Sequence, residues 1–271
     1  MPFLSPPRIR RIATIGALAA LACAGLGATS SSAASGVRAN GSRSAPASGR
    51  PMGRPTAGAP QIGALFRTAN GTPTSHQCSA GVISSPNGDL LVTAAHCVYD
   101  AEPEPGLVFV PQYDSGAMPY GTWNVSAVYV AKQWSANRNP DYDVAFAVVH
   151  RTGSDTPIQD VVGADDLAVN QSYTQSTTVI GYPSSSNAPI VCTNTTTQFS
   201  ATQLRFDCGG YSSGTSGSPF LTHVDPQTGL GIVDGVIGGY QAGGNASDVS
   251  YSVHFDDSTE ALYQQAVKAS Q

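Results

Sequence analysis

The chain has 271 residues, with 13 Lys+Arg against 18 Asp+Glu, a formal net charge of −5, 29 glycines, 19 prolines and five cysteines. The charge is divided unevenly: up to Pro60 there are seven arginines and no acid, whereas from Gln61 onward six Lys and Arg face eighteen Asp and Glu, a net charge of −12. An acidic surface of that strength repels phosphate backbones and argues against nucleic acid as a partner, while the length after Gln61 suits one all-β unit with a sizeable core.

Arg8, Arg10 and Arg11 precede an Ala- and Leu-rich apolar run, Ile12 to Gly27, followed by small residues at Ala28 and at Ser32-Ala33-Ala34. This reads as a secretory signal peptide over 1–28, with cleavage as late as 34, and therefore as an extracellular protein. A run of about sixteen residues is short for a membrane span, so no membrane association is expected of the mature chain. Lipid attachment at Cys23 is the variant reading, but Ala20-Leu21-Ala22-Cys23 matches the usual lipobox poorly, and Arg10-Arg11 alone does not make a twin-arginine signal. Residues 29–60 read as a disordered linker or pro-segment of Ser, Gly, Ala, Pro and Arg, whose few apolar side chains cannot offset the entropy of ordering. Residues 61–271 read as the folded domain.

Loss of the leader removes Cys23 and leaves Cys78, Cys97, Cys192 and Cys208, an even set that in an exported chain implies two disulfides. Three pairings are possible, and the neighbour pairs Cys78–Cys97 and Cys192–Cys208 close the shortest loops. Zinc is disfavoured because no paired CxxC spacing occurs.

From Ile62 onward short strands alternate with turns. Candidate strands are Ile62 to Arg67, Ser79 to Ser84, Leu90 to Thr93, Thr122 to Ala131, Val144 to Val149, Thr177 to Gly181, Gln203 to Cys208, Pro219 to His223, Gly231 to Ile237 and Ser250 to Phe255. Pro86-Asn87-Gly88-Asp89 between the second and third is a hairpin signal. One helix is predicted, at the C-terminus, where Asp257 as cap and Glu260 three residues later form a capping-box pattern ahead of Leu262, Tyr263, Ala266 and Val267. Many strands and a terminal helix indicate an antiparallel all-β domain.

Three strings carry chemistry. Leu91-Val92-Thr93-Ala94-Ala95-His96-Cys97 sets a histidine between small residues and a cysteine at the end of an apolar strand. Asp141-Tyr142-Asp143-Val144-Ala145-Phe146 sets Asp143 at the mouth of another, with Asp141 as its rival. Gly214-Thr215-Ser216-Gly217-Ser218-Pro219 sets a serine among glycines whose backbone is free to turn tightly and present N–H groups. An imidazole base, an orienting carboxylate, a hydroxyl and a pair of backbone donors are what acyl transfer through serine requires.

Together these strings resemble the histidine, aspartate and serine motifs of the chymotrypsin/trypsin-like serine proteases, in their bacterial secreted branch related to V8-type glutamyl endopeptidases. The resemblance covers about Gln61 to the C-terminal helix. It implies two packed antiparallel six-stranded β-barrels, a triad of His96, Asp143 and Ser216, an oxyanion hole made by the N–H groups of Gly214 and Ser216, and the family's disulfide between Cys78 and Cys97. A protein or peptide substrate, no cofactor, no metal and a monomer follow from it. The order His, Asp, Ser and the break of Gly-x-Ser-x-Gly at Ser218 argue against an α/β-hydrolase. The competing readings are a protease-like binding module that does no chemistry and a secreted esterase on the same fold.

The match departs in places. Thr215 stands where animal trypsins carry the aspartate that pairs with a freed N-terminus, so activity is expected not to need a free Ile62 amine. Ile237 falls at the position of the histidine by which the V8 branch binds glutamate, and Gly210 at the pocket-base aspartate of trypsins; neither an acidic nor a basic residue is expected before the scissile bond. Gly210, Tyr211, Ser212, Ile237, Gly239 and Tyr240 are the expected pocket walls. Gly238 replaces a serine that commonly bonds the aspartate, so Asp143 is expected to be held by other donors. His76, His150, His223 and His254 lack motifs and read as structural or exposed.

Overall fold

The computed structural model describes residues 49–69, 72–100 and 106–270; the expected signal peptide, Cys23 and most of the linker lie outside them. The strands of the first lobe are β2 (Ile62–Ala69), β3 (Thr72–Ile83), β4 (Leu90–Thr93), β5 (Leu107–Pro111), β6 (Trp123–Val130) and β7 (Ala145–His150), preceded by a two-residue β1 (Arg54–Pro55) that belongs to the second lobe. The remaining strands are β8 (Asp166–Leu167), β9 (Ser176–Gly181), β10 (Ile190–Thr195), β11 (Thr197–Gln198), β12 (Gln203–Phe206), β13 (Pro219–Thr222), β14 (Ile232–Val236) and β15 (Ser250–Val253). Short helices α1 (Ala95–Val98), α2 (Lys132–Asn137) and α3 (Ile158–Val162) interrupt them, and α4 (Asp257–Ala269) ends the chain.

The first lobe is a closed barrel in the order β2-β3-β4-β7-β6-β5. β4, β5, Ile62–Phe66 of β2 and Cys78–Ile83 of β3 are buried on both faces, and the twofold alternation of a strand sorts the barrel's side chains into two cores. Leu65, Leu91, Phe109, Ala145 and Ala147 point into the barrel with Trp123. Their neighbours Ala64, Phe66, Leu90, Val92, Val108, Val110 and Phe146 point outward into a core shared with Ile180, Tyr182, Leu221, Val236 and α4. Double-sided burial is why these segments read as continuous apolar runs.

The second lobe divides into a six-stranded sheet, β1-β10-β9-β13-β14-β8, and a three-stranded sheet, β11-β12-β15. Val179 and Phe220 from the first and Leu204 and Phe206 from the second pack together around the Cys192–Cys208 disulfide. The first lobe therefore closes through hydrogen bonds and the second through packing of its two sheets.

Residues from Arg50 to Pro60, read above as linker, are part of the fold. Gly53 N donates to Gly209 O at 2.7 Å and Gly209 N to Pro51 O at 2.8 Å, β1 pairs with β10 through Arg54 and Pro55, and Arg50 bonds Asp248 at 2.6 Å. Its order comes from remote partners rather than from its own composition. The helix cap is also corrected: Asp256 in extended conformation caps α4, accepting from Ser258 N at 2.9 Å. Asp257 bonds Asn170 instead, and Glu260 accepts from Gln264.

Asp165 and Asp234 are buried carboxyls with one oxygen apiece lacking a hydrogen-bond partner among the described residues, and burial pushes both up to about 7 from an ordinary 3.8. Between those values the native state keeps protons that the unfolded chain has released, so both groups lower stability progressively as pH rises from about 4 to 7 and hold it down above. Asn, which resembles the protonated acid, is expected at either position to raise Tm by an amount that grows between pH 5 and pH 8. A gain that is the same at both pH values in calorimetry would show that neither carboxyl titrates as described.

Candidate active site

β4 delivers the chain to Thr93, and the fully buried Ala94 and Ala95 lead into α1, which carries His96. The Cys78–Cys97 disulfide, with Cα atoms 6.0 Å apart, ties α1 to β3. His96 is held by Asp143 twice: Nδ1 lies 2.7 Å from Oδ2, and the His96 backbone N–H donates to Oδ1 at 2.9 Å. Asp143 has no solvent exposure. It ends a 3₁₀ turn, Pro140–Tyr142, that Asn139 caps by accepting from Asp141 N.

A third donor reaches Asp143: Gly239 N–H bonds Oδ2 at 2.9 Å. At the neighbouring Gly238 a Cβ would lie 2.9 Å from the Asp143 carbonyl oxygen, so the backbone supplies the donor that a side chain there has no room to supply. The rival Asp141 is engaged elsewhere, accepting from Thr202 Oγ1 at 2.7 Å and Gln203 Nε2 at 2.9 Å.

Ser216 lines the same cleft as His96, and its Oγ makes no hydrogen bond to a described residue. Its turn is shaped by peptide orientation. The carbonyl of Ser213 accepts from Ser184 N at 2.7 Å and that of Thr215 from Ser218 N at 3.1 Å. A trans peptide holds its N–H opposite its C=O, so the N–H groups of Gly214 and Ser216 are turned the other way, and neither has an acceptor among the described residues. Gly214 (φ 96°) and Gly217 (φ 80°) take the left-handed backbone this requires. A Cβ at Gly214 would strike Ser184 and the Tyr182 carbonyl, and one at Gly217 would strike Thr93 and Ser79.

Ser79 is a contributor that sequence reasoning missed. This buried serine donates its N–H to Ser216 O at 2.7 Å and its hydroxyl to Gly214 O at 3.0 Å, and accepts from Tyr182 N at 3.0 Å. It fixes the second lobe's serine turn to the first lobe's barrel. Nothing in the string around Cys78 distinguishes it from an ordinary strand serine.

The cleft has a volume of about 570 Å³. Tyr211, Ser212 and Ile237 line it as expected from sequence, but Gly210, Gly239 and Tyr240 do not. Gly210 faces Ile190 and Gly53, Gly239 backs onto the Gln203 carboxamide, and Tyr240 turns outward to pack on Phe199 and Tyr251 at 4.9 and 5.0 Å between ring centroids. Their places are taken by the loop from Gln241 to Ser247, with Ser250, and by Arg67 and Gln77 across the cleft. None of His76, His150, His223 and His254 lines it; His76 is buried among Phe66, Tyr113 and Tyr182 with Nε2 3.1 Å from Ser186 O, and burial lowers its pKa. The cluster of Cys78, Cys97 and His96 offers no thiolate to a metal, since both sulfurs are in the disulfide.

Residues 78–227, over half of the chain, match the family model described as a trypsin-like peptidase domain. No curated protein matches the sequence. Among solved structures, the chain is similar to the protease Anisep from Arthrobacter nicotinovorans at 27% identity and a TM-score of 0.66, covering 80% of this chain and 100% of that one. It is similar to AL20, a thermostable serine protease from an extremophilic microorganism, at 26% identity and a TM-score of 0.66, covering 79% and 99%. A Glu endopeptidase at 18% identity and a TM-score of 0.60, covering 81% and 98%, shares the fold.

Proposed function

Because the chain belongs to the trypsin-like peptidase family, we propose that it is a secreted serine endopeptidase with His96, Asp143 and Ser216 as catalytic triad and the N–H groups of Gly214 and Ser216 as oxyanion hole. The observation that carries this reading is the gathering of a carboxylate-held imidazole, a serine and two acceptor-free backbone donors at one cleft.

Asp143 receives Nδ1–H and so leaves Nε2 as the basic atom. Nε2 takes the proton of Ser216 Oγ as that oxygen attacks the peptide carbonyl, and the oxyanion accepts from Gly214 and Ser216 N–H. His96 then protonates the departing amine, and water hydrolyses the acyl-enzyme by the same route. No cofactor enters these steps. The cleft wall of the second lobe is uncharged at Tyr211, Ser212, Ile237, Asn245, Ser247 and Ser250, which favours an uncharged side chain before the scissile bond. The export signal over 1–28, a linker or pro-segment after it and a monomeric mature enzyme that binds neither nucleic acid nor membrane belong to the same proposal. A fluorophosphonate probe is expected to label Ser216 stoichiometrically in protein that also degrades casein; labelling elsewhere, or none, would sink it.

Activation by a freed Ile62 amine is not part of this reading. Thr215 Oγ1 donates to Ser212 O at 2.8 Å, and Ile62 N donates to Ala59 O at 3.0 Å within a continuous chain. Protein beginning at Gly49 is therefore expected to be fully active. Protein beginning at Ile62 loses β1 and the Arg50 contacts and is expected to show a lower Tm and a raised KM. Activity that appears only on cleavage before Ile62 would overturn this.

A further inference from the structure

The two walls of the cleft differ in charge. Among the described residues every side chain on the second-lobe wall is uncharged, no acid lines either wall, and the permanent charge in the lining is Arg67, on β2 of the first lobe. It stands in a domain whose net charge from Gln61 onward is −12. Arg67 is exposed, and one bond orients it toward the cleft: its Nε donates to Gln77 Oε1 at 2.5 Å, and Gln77 Nε2 donates to Cys97 O at 3.4 Å, next to His96. Both terminal nitrogens of the guanidinium have no partner among the described residues. A guanidinium fixed at Nε with its outer edge open presents the paired donors that fit a carboxylate.

The chemistry fixes which part of a substrate this group meets. The acyl half is attached to Ser216, with its oxygen at Gly214 and Ser216 N–H and its side chain against the second-lobe wall. The departing amine receives its proton from His96, so the leaving chain passes His96 toward Cys97, Cys78, Gln77 and Arg67. We propose, on the strength of the peptidase reading above, that Arg67 is a specificity residue that binds a glutamate or aspartate one or two positions after the scissile bond.

The test uses internally quenched peptides identical except for Glu, Gln or Lys at the first or second position after the bond cut. Wild-type protein is expected to give kcat/KM about 5- to 10-fold higher for Glu than for Lys at low salt, as for a solvent-exposed charge pair, with the ratio shrinking toward unity in about 0.5 M salt. Arg67→Gln is expected to flatten the series and Arg67→Glu to invert it. Peptides cut equally well whatever their charge overturn the inference and leave the peptidase reading standing. Failure to cut any peptide or casein overturns both. The salt dependence of the wild-type ratio decides the matter without a variant, should Arg67→Glu fold poorly.

Discussion

Replacement of Ser216 by alanine is expected to lower kcat by on the order of 10⁶, because a nucleophile, its base and the base's orienter act as one unit and loss of the first idles the others. The fold should not register the change. Ser216 Oγ makes no hydrogen bond to a described residue, whereas the backbone of its turn is fixed by Ser79, Ser184 and Ile237, and none of those bonds uses the hydroxyl. Tm is therefore expected to stay within about a degree, and peptide binding to survive. The measurement is initial-rate hydrolysis of a quenched peptide together with Tm. Adding His96→Ala to Ser216→Ala should cost little more, since the pair no longer has a shared task. A residual rate within tenfold of wild type would remove Ser216 from the chemistry and place the nucleophile elsewhere, whereas loss of all hydrolysis in the wild type as well would return the protease-like binding module to consideration.

What the sequence disclosed and what it hid have different physical origins. Leu90 to Thr93 appeared with its observed bounds because a strand buried on both faces has to be apolar throughout. The His96, Asp143 and Ser216 strings were legible because all three, in that order, resemble the motifs of the trypsin-like peptidases; the residues taken singly read as ordinary turn and strand-end positions. The pocket was hidden because its wall is a loop whose path depends on Gln241 and Ala242 adopting φ of 52° and 53°, which those residues do not announce, and because motif offsets pointed to Gly210 and Gly239, whose α-carbons turn inward. Pro51 to Pro55 read as linker because its ordering partners, Gly209 and Ile190, are remote in sequence. β10 escaped because its string Ile190–Thr195 is half polar and only Cys192 within it is buried. The cap moved from Asp257 to Asp256 because two adjacent aspartates satisfy the same pattern, and extended backbone at Asp256 decides between them.

Asp143→Asn should separate the holding of the imidazole from the chemistry at Ser216. The carboxylate accepts three N–H groups on two oxygens, from His96 N, His96 Nδ1 and Gly239 N. An asparagine has one accepting oxygen. With that oxygen toward Nδ1 and Gly239, its NH₂ opposes the His96 backbone N–H; with the amide flipped, its NH₂ donates to Nδ1, the ring proton moves to Nε2, and the atom that must accept from Ser216 no longer can. The first arrangement leaves a buried donor unpaired at about 1–3 kcal/mol, and the second preserves one bond to the ring while removing the base. A fall in kcat of about 10⁴ is expected at neutral pH, with little change in KM because Asp143 is wholly buried and does not line the cleft. Asp141→Asn, two residues away, disturbs contacts with Thr202 and Gln203 and is expected to stay within a few-fold of wild type. Equal losses in the two variants would mean that the turn from Pro140 to Tyr142, rather than the carboxylate of Asp143, supports activity, and the assignment of the orienting residue would have to be withdrawn.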